Sequence, residues 1–120
     1  MTDRQPVKQF FGDAEYEFHL PPELVIELER KVGAGIGSIY RRFLSSDFGL
    51  NDLLEVLRLG LIGASMEPKE ASTLVKTYAG RLSVASLFMA AMPVLDALMT
   101  DAPVQPIANP AEEVPADDQE

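Results

Sequence analysis

Val32-Gly33-Ala34-Gly35-Ile36-Gly37-Ser38-Ile39-Tyr40-Arg41-Arg42-Phe43-Leu44 opens a glycine-punctuated run that continues to Met66, and the fold turns on how this run is read. Ile36, Ile39, Tyr40, Phe43 and Leu44 recur at i, i+3, i+4, i+7 and i+8, which predicts an amphipathic helix over about 35–45. Gly33, directly after Arg30-Lys31, suits a left-handed cap on the helix before it. After Gly49, Leu50, Leu53, Leu54, Leu57 and Leu61 form an inward stripe with Asn51, Asp52, Glu55 and Arg58 outward, predicting a helix over 50–62. Gly60 and Gly63 then read as turn residues at its close, as do Gly12, Gly33, Gly35 and Gly37 elsewhere.

Toward the N-terminus, Pro21-Pro22 and Glu23 start a helix over 23–32 with Leu24, Val25, Leu28 and Val32 on its apolar face. Before it, Ala14, Tyr16, Phe18 and Leu20 alternate with Glu15, Glu17 and His19, the period of a strand with one buried face. Val7 to Phe11 is its candidate partner across Gly12-Asp13, giving a β-hairpin over 7–20. Toward the C-terminus, Pro68 opens a helix over 68–79 that buries Ala71, Leu74, Val75 and Tyr78, and Ser83 N-caps a last helix over 83–99. Pro93 lacks an N–H and is expected to kink or break that helix. The expectation is therefore an α+β fold, mainly α. A flexible N-terminus, 1–6, precedes one globular domain, 7–100, made of the hairpin and about five short helices. The proline-rich 101–120 has Val104, Ile107 and Val114 as its only large apolar residues, too few to offset the entropy of ordering it, so a disordered tail is expected.

The 120 residues carry a net charge of −9, and Asp101, Glu112, Glu113, Asp117, Asp118 and Glu120 follow residue 100 with no Lys or Arg among them. A nucleic-acid module needs a basic face to neutralise phosphates, and none is evident. Cysteine is absent and His19 is the single histidine, on the polar side of its strand, so neither metal chemistry nor a histidine-activated nucleophile has a second partner. Glu15 and Glu17 read as a solvated strand face rather than a catalytic carboxylate pair. Gly33-Ala34-Gly35-Ile36-Gly37 does not follow a strand and lacks the Lys-Ser/Thr ending of a phosphate loop. Arg41-Arg42 either touches an anion or simply complements a helix C-terminus. No cofactor and no enzymatic activity are expected.

The stretch Val84 to Met99 contains Asp96 and Pro93 and is shorter than the ~20 apolar residues of a membrane span. Met1-Thr2-Asp3-Arg4-Gln5-Pro6 is polar, without the apolar segment of a signal peptide, so a cytoplasmic setting is expected. A helix as apolar as 83–99 is either buried all round or covered by a partner. Leu87, Phe88, Met89, Met92, Leu95 and Met99 are its candidate partner-binding residues, with self-association as one way to cover them.

Three segments in order carry a family resemblance. They are Phe11-Gly12-Asp13-Ala14-Glu15-Tyr16-Glu17-Phe18-His19-Leu20; Leu28-Glu29-Arg30-Lys31-Val32-Gly33-Ala34-Gly35-Ile36-Gly37 with Tyr40-Arg41-Arg42-Phe43; and Leu59-Gly60-Leu61-Ile62-Gly63-Ala64-Ser65-Met66. Over about residues 8 to 98 the chain resembles the small tail proteins of gene transfer agents, a family grouped with phage tail assembly chaperones. It departs from the family pattern at Ala64 or Ser65, at Glu67 and at Leu82-Ser83. The resemblance implies a non-catalytic chaperone, acting in the bacterial host cell, that holds the tape-measure protein until tail-tube protein polymerises around it. A structural place in the tail and a small helical regulator are the alternatives.

Overall fold

The first strand, β1 (Val7–Phe11), pairs antiparallel with β2 (Ala14–Phe18), Val7 facing Phe18 and Phe11 facing Ala14. The alternation of the sequence becomes the two faces of the hairpin: Val7, Phe11 and Phe18 are buried, whereas Lys8, Phe10, Glu15 and Glu17 face out. Between the strands Gly12 has φ 73°, and the Asp13 N–H donates to the Phe11 carbonyl at 2.9 Å. A Cβ on Gly12 would also lie 2.5 Å from the Tyr78 ring, so both conformation and packing require glycine there.

Five helices follow: α1 (Pro22–Val32), α2 (Ile36–Leu44), α3 (Leu50–Gly63), α4 (Pro68–Ala79) and α5 (Val84–Met99). The chain thus has the mainly helical α+β architecture read from its sequence, in a computed structural model that describes residues 4–100. The acidic tail and Met1 to Asp3 lie outside those residues. Arg4, from the segment expected to be flexible, donates from Nη2 to the Leu20 carbonyl at 2.7 Å.

Local chemistry sets most helix ends. Prolines occupy the first positions of α1 and α4, where the missing N–H has no helical acceptor to lose. Gly33 (φ 81°, ψ 29°) ends α1 in the left-handed conformation and donates to the Glu29 carbonyl. Ser83 Oγ accepts the Ser86 N–H at 3.0 Å and fixes the start of α5.

α3 is the centre of the molecule and touches α1, α4, α5 and β2. Its Leu53, Val56, Leu57, Leu59 and Leu61 are all buried, each contributing about 1.5–3 kcal/mol of apolar transfer. Two expectations for this helix are corrected. Gly60 lies inside α3 and Gly63 is its last residue, and neither is a turn residue. They admit the chain that leaves β2: the His19 N–H donates to the Gly60 carbonyl at 2.8 Å, and a Cβ on Gly63 would run into the His19 carbonyl. Asp52 does not point outward. It is buried, accepting from the Gly49 N–H at 2.9 Å and pairing with Arg42 at 3.2 Å, which completes the α3 N-terminus.

Gly37 is likewise helical, the second residue of α2, while Gly35 is extended at the α2 N-cap. Pro93 does not break α5, which runs unbroken to Met99. Proline removes one helical donor and crowds the preceding turn, and on that turn the Gln9 side chain donates to the Ala90 carbonyl at 2.7 Å. The carbonyl that Pro93 leaves without its helical donor is that of Met89, one residue before Ala90, so the Gln9 bond ties β1 to this turn without replacing the missing one.

Candidate functional site

α5 lies along α3 and β1, and its inward stripe is Leu87, Ala91, Val94 and Leu95, each no more than 2% exposed. Leu87 and Leu95, expected on a partner-binding face, are therefore core residues, because a stripe at this spacing faces α3. Phe88 is also committed internally. Its ring stacks on Phe48 at 4.9 Å and 11°, and both lie against Phe43. Met92 is half-buried, which leaves Met89 (48% exposed) and Met99 as the outward part of the expected set.

At the C-terminal end of α5, Tyr40 Oη donates to Asp96 Oδ1 at 2.8 Å and ties α2 to the helix. That hydrogen bond raises the Tyr40 pKa above its ordinary value, because ionising the phenol would remove the donor beside a carboxylate.

Other exposed apolar residues lie away from the expected face. Phe10 (69% exposed) stands on the outer face of the hairpin, and Ile26 sits off the inward stripe of α1. Leu44 and Leu50, both read as inward from periodicity, are exposed, since each ends or begins its helix beyond the reach of the core. The signal for Phe10 was available in the alternation once the register was known: Phe11 is paired with inward Ala14, so Phe10 must face out with Glu15.

A shallow open groove of about 560 Å³ runs along α4, lined by Asp13, Glu67, Lys69, Glu70, Thr73, Leu74, Thr77 and Tyr78. Near it, Tyr16 Oη donates to Asp13 Oδ1 at 2.8 Å. That bond, followed by partial burial and the neighbouring carboxylate charge, pushes the Tyr16 pKa up to about 12. The phenol therefore keeps its proton well above neutral pH. Of the two arginines considered as an anion site, Arg42 is engaged by Asp52 and only Arg41 is exposed. Among the described residues no cluster of His, Cys, Asp or Glu has the grouping of a metal site, and no helix is long and apolar enough to cross a membrane. The exposed large apolar side chains of the described residues stand separately along the hairpin and helices.

A family model described as phage tail tube protein, GTA-gp10, matches residues 4–101, the span of the whole described domain. No curated protein and no solved structure matches the chain.

Proposed function

The chain belongs to the GTA-gp10 family of phage tail tube proteins, and on that premise we propose that this tail protein of a phage or gene transfer agent is a structural component of the tail. The carrying observation is that the match spans the hairpin and all five helices rather than one motif. Compatible with this reading, α3 is enclosed, and the exposed large apolar residues are spread over the hairpin, several helix ends and the outer sides of α1 and α5. Quantitative mass spectrometry of purified particles tests it. The chain is expected in a fixed ratio to other tail proteins, and its absence from particles whose host lysate contains it would overturn the proposal.

The second reading is a non-catalytic assembly chaperone that keeps the tape-measure protein soluble and delivers it to the tail-tube protein. It is favoured by Met89 and Met99, flexible side chains exposed on a helix that suits a helical partner. Under this reading, co-expression raises the soluble fraction of the tape-measure protein and Met89→Asp reduces that effect. Family membership lends the helical-regulator alternative no support.

A further inference from the structure

The two-residue loop closing on Phe11 and Ala14 makes Phe11/Ala14, Gln9/Tyr16 and Val7/Phe18 the hydrogen-bonded pairs of the hairpin. The backbone N–H and C=O groups of Lys8 and Phe10 consequently point away from β2, and no segment among the described residues bonds to them there. Both residues are exposed, Phe10 more than any other large apolar residue among those described. An open strand edge carrying an exposed aromatic is a template for another strand.

We propose that the β1 edge docks a second copy of this chain, β1 against β1 in antiparallel register centred on Gln9, joining the two hairpins into one sheet. The register follows from the edge. Centring on Gln9 pairs Lys8 with the second copy's Phe10, using every outward backbone group of both strands. Centring on Lys8 would set two ammonium groups side by side and bring Phe10 opposite Pro6, which has no N–H. On the outer face each Lys8 then lies between its own Glu17 and the second copy's Phe10, with that copy's Glu15 beyond. The two Phe10 rings meet diagonally across the axis and cover each other.

Charge selects this edge over β2. Pairing β2 with β2 would set Glu15 beside the second copy's Glu17, gathering like charges on one face. A head-to-tail β1 to β2 arrangement would hold each Phe10 between two Glu15 carboxylates and leave its ring uncovered. Beneath the axis, Gln9 already reaches α5 at Ala90, which holds β1 in place on the helix.

The chain has no cysteine, so single-cysteine variants of the full chain report the register directly. At the axis, the two Gln9 Cα atoms would lie about 4.5 Å apart, within disulfide reach. Gln9→Cys is expected to form a covalent dimer under mild oxidation at least about tenfold faster than Lys8→Cys, which lies off the axis. Equal rates, or faster cross-linking of mixed Gln9→Cys and Tyr16→Cys chains, would overturn the proposal, the latter in favour of the head-to-tail sheet. Sedimentation velocity is the second arm, with the unmodified chain expected to dimerise reversibly with rising concentration. Phe10→Pro keeps the hairpin's own bonds and removes half of the inter-copy ones, so it is expected to weaken the dimer at least about tenfold. A circular dichroism melt confirms that the variant folds. A monomer at all concentrations, or an undiminished dimer in folded Phe10→Pro, refutes the proposed edge.

Discussion

α3 and α5 are both strongly apolar helices, and they end in opposite situations. α3 carries Asp52, Glu55 and Arg58, yet it is enclosed by three helices and a strand, with Asp52 and the Glu55–Arg58 pair drawn largely inside. α5 has Asp96 as its only charged residue, yet it packs against α3 and β1 and leaves Val84, Met89 and Met99 exposed. Enclosure here follows position in the chain's path more than hydropathy. The middle helix is surrounded by elements that precede and follow it, whereas among the described residues α5 is packed only by elements that precede it.

The largest test of this contrast lies within α5. Leu95→Ala, at a fully buried position, is expected to cost about 2–5 kcal/mol in urea unfolding, whereas Met89→Ala should stay within about 0.5 kcal/mol. Comparable losses at the two positions would mean that α5 is enclosed after all. Next comes the close approach on α3. Gly63→Ala places a methyl against the His19 carbonyl and is expected to cost about 1–3 kcal/mol, while Gly37→Ala in α2 meets nothing and should stabilise by about 0.5–1 kcal/mol. Opposite signs in thermal melts of these two variants would sharpen the distinction between a packed helix and an open one.

A smaller effect is expected at Asp52→Ala, about 1–2 kcal/mol, because it leaves the Gly49 N–H without its acceptor and Arg42 without its partner. Asp52→Asn should recover part of that loss in the same unfolding assay. The smallest effect is on the hairpin turn. The Tyr16 phenol ionises at about 12 in the folded chain, against an ordinary value of 10.0, so the folded state keeps the proton longer. Its contribution is complete below pH 10 and fades as pH rises through 12. The stability gap between the unmodified chain and Tyr16→Phe, present at pH 8, should therefore close in the alkaline range. A pH-independent gap would show that the Asp13 bond does not control it.

Features decided within a few residues were legible in the sequence. The alternation from Ala14 to Phe18, the proline starts of α1 and α4, the Gly33 cap and the Ser83 cap each depend on neighbours in the chain, and the helix limits moved by about one residue where they moved at all. What was not legible depends on distant partners. Gly60 and Gly63 look like punctuation until His19 to Pro21 is laid across them. Asp52 looks solvated until Arg42 arrives from α2. The candidate surface suffered most. Periodicity placed Leu87 and Leu95 on one apolar stripe but could not say that α3, rather than a partner, covers it. It also gave no weight to Phe10, whose outward direction depends on strand register.

The Gln9 to Ala90 bond joins residues 81 positions apart and sets an order of events during synthesis. The hairpin is made before all five described helices, and the helix that β1 packs on is the last of these to be made. At about 5–20 residues per second the interval is roughly 4–16 s. Throughout it β1 lacks the helix it packs on, and its edge is available to any extended chain nearby. The moment of greatest exposure of this edge to a second copy therefore comes before the domain has closed.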